Sequence, residues 1–443
     1  MNRTKFLLTT GALAQCGPGI AIAGQVSSQP QAEVAQDRTS LREEVHKLRL
    51  IILNLEKRLT VLEQARIPEV TTVTGPEAAL TPAPVPVNFP SSPTTTQRLN
   101  IFNPQITLFG NFLARTDNKT VLNQDGDPVD DRFNLRELEF DARAAIDPYA
   151  DGVAIITLES EVPNEFEVEV EEGYIVLKRL PFLHSAPGGL KLKFGRMRVP
   201  FGRLNMLHTH DLPQATRPLP LRTFLGEEGF IQNGVSADFF LPSTSKSVLE
   251  WTLQILDGGD LPVGEANRGE DLAYMSRLKW FHTFGAAADL EFGLSNYLGK
   301  NDLNGNQGTL LSGFDFLFKW KPMQQGEWRS FLLGGELLYA SMEQAIGSNQ
   351  TPFGYYTFAQ FQMNSRWYAG LRYGFSDRLE DDGLDTRALT LYSSFYTSEF
   401  LRFRLGWETV RSDLPQLDGR STGTLEVNFV FGSHPVEPYW VNR

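Results

Sequence analysis

Leu135-Arg136-Glu137-Leu138-Glu139-Phe140-Asp141-Ala142-Arg143-Ala144-Ala145-Ile146 changes character at every second residue. Leu138, Phe140, Ala142, Ala144 and Ile146 fall on one side, Glu137, Glu139, Asp141 and Arg143 on the other. In an extended chain successive side chains point to opposite faces, so this segment is a strand with one apolar and one charged face. The pattern recurs. Phe166, Val168 and Val170 alternate with Glu165, Glu167, Glu169 and Glu171, and Phe314, Phe316, Phe318 and Trp320 with Gly313, Asp315 and Lys319. Leu401, Phe403, Leu405 and Trp407 alternate with Arg402, Arg404 and Glu408, and Leu425, Val427, Phe429 and Phe431 with Glu426 and Asn428. A soluble β-sandwich also alternates, with its apolar face inside. Here many apolar faces end in Phe, Trp or Tyr, which fits lipid outside, water inside and aromatic girdles at the interfaces.

Such segments begin near residues 104, 133, 152, 166, 189, 230, 247, 271, 287, 309, 328, 355, 367, 385, 400 and 422. The expected fold is an all-β transmembrane barrel over residues 99–443, with about sixteen antiparallel strands, an even number as bacterial barrels have. No stretch reaches the roughly 18 unbroken apolar residues of a membrane helix, so a membrane protein of this sequence closes its backbone hydrogen bonds as a barrel. With the first strand entering from the periplasm, outer connections should be long and inner ones short. Residues 117–132, 200–229, 258–270, 300–308, 343–354 and 413–421 are long. Asp147 to Gly152, Pro242 to Lys246, Asn364 to Arg366 and Thr397 to Glu399 are short, while 162–165 and 181–189 fit less well.

Residues 1–23 read as a secretory signal: Arg3 and Lys5 precede the mostly apolar Phe6 to Ala14, and Ala21-Ile22-Ala23 offers the small-x-small cleavage pattern. Ala12-Leu13-Ala14 is a second such site. Cys16, the single cysteine of the 443 residues, lies inside this segment, so cleavage after Ala23 leaves no thiol and no disulfide framework. Residues 24–40 read as disordered. Over 41–65 the apolar seam Leu41, Val45, Leu48, Ile52, Leu55, Leu59 and Leu62 is spaced four and three, as in a coiled coil. The residues at its core positions favour a dimer, whereas Leu50, Ile51 and Leu53 widen the apolar face towards more strands. A single amphipathic helix packed on its own chain fits the same spacing. Residues 66–98, with prolines from Pro68 to Pro93 among Thr, Ser and Val, form an extended linker. A net charge of −12 excludes a broad basic patch for nucleic acid.

The segment from Phe102 to about Pro242 carries a resemblance. Its residues include Asn103-Pro104, Leu135-Arg136-Glu137-Leu138-Glu139, Ala145-Ile146-Asp147-Pro148-Tyr149 and Val170-Glu171-Glu172-Gly173-Tyr174. The clearest are Phe194-Gly195-Arg196 with Pro200-Phe201-Gly202, then His208-Thr209-His210, Arg217-Pro218-Leu219 and Leu225-Gly226-Glu227-Glu228-Gly229. Together they resemble a poorly characterised group of outer-membrane barrel proteins similar to the phosphate-selective porins. The resemblance implies a sixteen-stranded barrel in the cell outer membrane, a coil in the periplasm and assembly as a trimer. It also implies that the third outer loop folds into the lumen and narrows it. The chain departs from the usual barrel ending, because a tail through Tyr439 and Trp440 follows the last apolar strand.

That loop, about 200–229, carries Arg203, His208, His210, Asp211, Arg217, Arg222, Glu227 and Glu228, which are the expected constriction residues. In a narrow pore with low-dielectric walls the field of such side chains is focused. The expected lumen charges facing them are Glu165, Glu167, Glu169 and Glu171, with Lys191 and Lys193 on the next strand. The same charges could instead pair across strands and only stiffen the wall. His208-Thr209-His210-Asp211 places two imidazoles on one side of an extended segment, with Glu227 or Glu228 available to complete a metal sphere. Histidines that hydrogen-bond within a folded loop read the same way, so no metal or other cofactor is assigned.

The leading reading is a passive channel for small hydrophilic solutes, with lipid and further copies of the chain as partners; the resemblance suggests anions such as phosphate, while Glu165 to Glu171 argue against a uniformly basic lumen. Zinc uptake or binding, and a purely structural tether, are the alternatives. An active receptor needs a plug domain and about twenty-two strands. No Ser, His and acid set stands at a recognisable motif, so no enzyme is expected.

Overall fold

The computed structural model describes residues 104–121, 128–129, 131–160, 165–180, 186–259, 261–264, 270–322, 329–432, 438 and 440–441. The export signal, the heptad seam and the Pro-rich linker lie outside these residues.

Sixteen strands form one closed antiparallel barrel in which each pairs with its neighbours in sequence and the first pairs with the last. They are β1 (Gln105–Asp117), β2 (Arg132–Ala145), β3 (Ala150–Glu159), β4 (Glu167–Leu177), β5 (Lys191–Arg198), β6 (Ile231–Leu241), β7 (Ser247–Leu256) and β8 (Ala273–Phe284). Then follow β9 (Ala288–Lys300), β10 (Gly308–Trp320), β11 (Ser330–Met342), β12 (Phe353–Gln362), β13 (Trp367–Asp377), β14 (Asp385–Ser398), β15 (Leu401–Ser412) and β16 (Ser421–Gly432). Every start lies within two residues of the sequence expectation. The rim where β1 begins and β16 ends is called the inner rim below. The inner connection between β4 and β5 is longer than its counterparts and carries a 3-10 turn, Pro187–Gly189, against β6.

The two faces sort as the alternation requires. Glu137, Glu139, Asp315, Arg404 and Glu426 are buried towards the lumen, while Phe140, Phe314, Leu405 and Leu425 are exposed outside. Aromatic rings band the exterior at both ends. Trp367 and Phe395 meet at 4.7 Å and Trp280 and Phe292 at 5.7 Å towards the inner rim. Tyr355 and Phe375 meet at 5.5 Å towards the other rim. Apolar surface left in water is unfavourable by about 25 cal/mol per Å², so an all-round belt of this kind is matched to lipid.

Strict alternation breaks at three register shifts, one of them at Tyr396/Ser398 of β14 and two beside the inserted loop, in β2 and β4. Asn111 pairs with Glu137 and Phe112 with Leu135, which leaves Arg136 as the extra residue of β2. Ile155 pairs with Glu172 and Ile156 with Val170, which leaves Glu171 as the extra residue of β4. A bulge re-aims its side chain and shifts the phase of the strand. Arg136 and Glu137 therefore both reach inward, as do Glu171 and Glu172.

The lumen is filled by the third outer connection, between β5 and β6. It contains 3-10 turns at Leu204–Met206 and Thr209–Asp211 and a short helix, α1 (Leu219–Leu225), that starts after Pro218. Phe201, Leu204, Leu212, Leu221, Phe224 and Phe230 are buried in one apolar cluster with inward residues of the wall, among them Tyr297, Leu311, Tyr356 and Phe358. Glycines of the wall make the room. A Cβ on Gly313 would stand 2.7 Å from the Phe201 ring, and one on Gly354 would stand 2.8 Å from Pro220 and 3.1 Å from Phe224.

Candidate functional site

A segment without strand partners must satisfy its buried backbone groups some other way. Here four arginines of the wall each donate to a carbonyl of the inserted loop. Arg402 reaches His210 at 2.6 Å, Arg404 reaches Leu212 at 2.7 Å, Arg136 reaches Ala215 at 2.6 Å and Arg372 reaches Thr216 at 2.5 Å. Glu336 of β11 does the converse, accepting the backbone N–H of Arg203 at 3.0 Å and of Leu204 at 2.8 Å, with the Tyr356 hydroxyl at 2.7 Å. The arginines are held by carboxylates in turn. Arg404 pairs with Glu426 at 2.6 Å and Arg372 with Glu408 at 3.0 Å. The tail beyond β16 joins the same contacts, because Trp440 donates Nε1–H to the Asp211 carbonyl at 2.7 Å and its own carbonyl accepts from Gln360 at 2.9 Å.

The two histidines meet four carboxylates of β2 and β4. His208 Nδ1 lies 3.0 Å from Glu139 and 2.9 Å from Glu171, and its Nε2 lies 3.1 Å from Glu172. His210 Nδ1 lies 3.1 Å from Glu137 and 3.6 Å from Glu139, and its Nε2 lies 3.8 Å from Asp211. The His210 ring stacks on Phe109 at 4.2 Å and on His208 at 5.7 Å. Burial opposes the charged imidazole in both. For His208 the Glu139 charge and the hydrogen bonds it donates to Glu139 and Glu172 outweigh it, although Arg198 opposes them, and its pKa rises to about 9. For His210 the charges of Glu139, Asp211 and Glu137 do the same, again to about 9.

The remaining expected constriction residues are placed differently. Arg203 forms an ion pair with Glu291 and borders an open cavity. Arg217 is enclosed, donating to the carbonyls of Leu207 at 2.9 Å and Leu204 at 3.4 Å, and burial lowers its pKa to about 10 against the pull of Glu137 and Glu228. Arg222 lies 3.5 Å from Glu408 and 3.9 Å from Glu227. Burial is outweighed there by these two carboxylates, so its pKa is raised. Glu227 is exposed, and Glu228 hydrogen-bonds towards Glu159, so neither joins the histidines. The carboxylates that face the histidines are Glu137, Glu139, Glu171 and Glu172, not Glu227 or Glu228. The reason is that the loop presses its histidines onto the wall, not onto its own end.

Of the expected lumen carboxylates, Glu165 and Glu167 are exposed where β4 begins, Glu169 pairs with Arg196 at 2.6 Å, and Glu171 is buried against Arg198 and His208. Lys191 and Lys193 do face the lumen. They line a cavity of about 370 Å³ between the loop and the β5–β9 wall, with Arg203, Arg277, Lys279, Asp238, Glu250 and Glu291. Lys193 lies over the Tyr174 ring at 4.4 Å, Lys279 pairs with Glu250, and Arg277 is held by Asp315 at 2.6 Å.

No family model matches the chain. A protein of Aquifex aeolicus (strain VF5), described as uncharacterized, is 28% identical over 348 residues, covering 69% of this chain and 70% of its own. Among solved structures, the anion-selective porin from Comamonas acidovorans is similar with a TM-score of 0.49 at 14% identity, covering 74% of this chain and 100% of its own. The outer membrane channel DcaP of Acinetobacter baumannii has a TM-score of 0.49 at 10% identity, covering 74% and 97%. The trimer form of OmpT, an outer membrane protein of Vibrio cholerae, has a TM-score of 0.45 at 10% identity, covering 74% and 100%.

Proposed function

We propose that this chain is an outer-membrane, porin-like channel for passive diffusion of small hydrophilic solutes, with the inserted loop as its constriction. The observation that carries the reading is the polar cavity bounded by Lys191, Lys193, Arg203 and Lys279 on the side of the lumen that the loop leaves open. Elsewhere the loop seals against the wall with apolar side chains and arginine-held carbonyls. A solute crossing the barrel is thereby confined to a passage with low-dielectric walls, where fixed charges act strongly.

Anions are the favoured cargo. Lys279, Arg203 and Arg277 each have a carboxylate partner, whereas Lys193 rests on an aromatic ring and Lys191 stands beside it on the same face. The resemblance to phosphate-selective porins points the same way. The outward apolar belt and its aromatic bands support insertion in the outer membrane, and the heptad seam Leu41 to Leu62 supports a periplasmic coil that assembles copies of the chain.

Single-channel recording of the purified protein in planar bilayers tests this. Discrete conductance steps and a reversal potential shifted towards the anion equilibrium in a salt gradient are expected. A folded, heat-modifiable barrel that inserts without conducting would leave only a tethering role.

A further inference from the structure

We propose that Glu137, Glu139, Glu171, His208 and His210 form a buried site for one divalent transition-metal ion, which pins the inserted loop to β2 and β4. The channel reading above is not required for it.

The geometry converges on Glu139. Its Oε2 faces Nδ1 of both His208 and His210, at 3.0 and 3.6 Å. Glu137 flanks the His210 side and Glu171 the His208 side. Donor atoms of Glu137, Glu139 and His210 lie within 4.8 Å of one another, and so do those of Glu139, Glu171 and His208. The two triads share one carboxylate, so a single ion beside Glu139 draws on both histidines.

Two further observations separate this cluster from an ordinary group of acids. Oε2 of Glu137 is buried without a hydrogen-bond donor, although the residue is more than nine-tenths enclosed, and Oε2 of Glu139 meets only the two imidazole Nδ1 atoms. A buried carboxylate oxygen left without a partner is costly. Both ring nitrogens of His208 also face carboxylates. A neutral imidazole has one N–H and one lone pair, so one of its nitrogens would point a lone pair at a carboxylate. Either a proton or a metal ion must stand between them. Four carboxylates meet here, and Arg198 neutralises only Glu171 directly. A doubly charged ion in place of the imidazole protons balances the carboxylates and also fills the empty acceptor position of Glu137.

The donors decide the class of ion. Imidazole with carboxylate suits zinc, cobalt, nickel, manganese or iron, whereas calcium and magnesium take oxygen ligands alone. The Nε2 side of His208 bonded to Glu172 matches the usual support of a metal-binding imidazole, whose second nitrogen donates to a carboxylate. A small cavity of about 60 Å³ bounded by Asp211, Arg402, Asn428 and Phe109 adjoins His210.

The test uses the full-length protein, purified in detergent and stripped with a chelator, titrated with Zn²⁺ and, for its visible spectrum, with Co²⁺. Uptake of a single ion per chain is expected, with a Co²⁺ ligand-field band typical of nitrogen and oxygen donors. Glu139→Gln, Glu137→Gln and His210→Asn should each weaken Zn²⁺ binding by at least the roughly 10–100-fold seen when even outer partners of a metal site are lost. Glu380→Gln, on an exposed outer turn, should bind as the parent does. Heat-modifiable gel mobility reports whether each variant folds, and the three ligand variants guard against one of them failing. The proposal is overturned if the stripped parent takes up no Zn²⁺, or if folded Glu137→Gln and His210→Asn proteins bind it as tightly as the parent.

Discussion

Arg404 of β15 donates to the Leu212 carbonyl at 2.7 Å while its other nitrogen pairs with Glu426 at 2.6 Å. One fully buried side chain thus joins the barrel wall to a loop 192 residues earlier in the chain. Breaking an isolated buried ion pair costs about 3–5 kcal/mol, but Glu426 keeps Arg136 at 3.2 Å and Arg402 at 3.9 Å, so the loss here is smaller. Arg404→Ala should therefore lower the stability of the barrel by less than that in chemical unfolding and loosen the loop, because the Leu212 carbonyl loses its donor. Arg404→Met keeps more of the packed volume, so it should lose less stability while the loop stays loose. If limited proteolysis finds the loop equally protected in parent and both variants, the arginine is not its clamp.

Trp440 fastens the same loop from the other end of the chain. Its ring is fully buried, Nε1 donates to Asp211, and Arg402 and Arg404 lie over the ring at 5.3 and 5.8 Å. Truncating a buried Trp typically costs about 3–5 kcal/mol. Trp440→Ala should lower the unfolding temperature and open the loop to protease from the inner side, with Trp440→Phe intermediate because it keeps the packing and loses the N–H. Equal thermal stability of all three proteins would remove the tail from the account.

In protein freed of metal by a chelator, the loop contact should weaken with rising pH. The His208 and His210 values of about 9 stand above the unfolded imidazole value of about 6.5. A raised value stabilises the fold fully below the unfolded pKa and is lost as pH passes the folded one. The charged groups facing the rings are Glu137, Glu139, Glu171, Glu172 and Asp211, with Arg198 beside Glu171. Between about pH 7 and pH 10, proteolysis of the loop should therefore quicken, and His208→Gln with His210→Gln should flatten the profile. A flat profile in the chelated parent would mean that the imidazoles are neutral in the folded barrel.

The barrel itself was legible because each strand carries its own period. Phe140 and Leu405 announce the lipid face without reference to any other residue. The long third connection and its charge were legible too. What could not be read was the phase change inside β2 and β4. Alternation puts Arg136 and Glu172 on the apolar side, and only the bulges turn them inward. The wall partners of the loop were hidden for another reason. Arg372, Arg402 and Arg404 are ordinary lumen residues of distant strands, and barrel closure alone brings them to residues 210–216. Residues 41–65, where the heptad seam lies, are outside the described structure.

Selectivity should follow the wall lysines more than the arginines of the loop. Arg217 was an obvious choice from sequence, but it is spent on the carbonyls of Leu204 and Leu207, and Arg203 is neutralised by Glu291. Lys191 and Lys193 line the open cavity with no carboxylate at salt-bridge distance among the described residues. Lys191→Gln with Lys193→Gln should therefore move the reversal potential away from the anion side, with little change in single-channel conductance. The effect should be large in about 0.1 M salt, where charges act over about 10 Å, and small near 1 M, where the reach falls to about 3 Å. Arg217→Gln should instead act through stability, because the loop carbonyls lose their donor while the passage keeps its charge. If Arg217→Gln shifts the reversal potential and the lysine pair does not, ions cross on the other side of the loop and the passage assigned here is wrong.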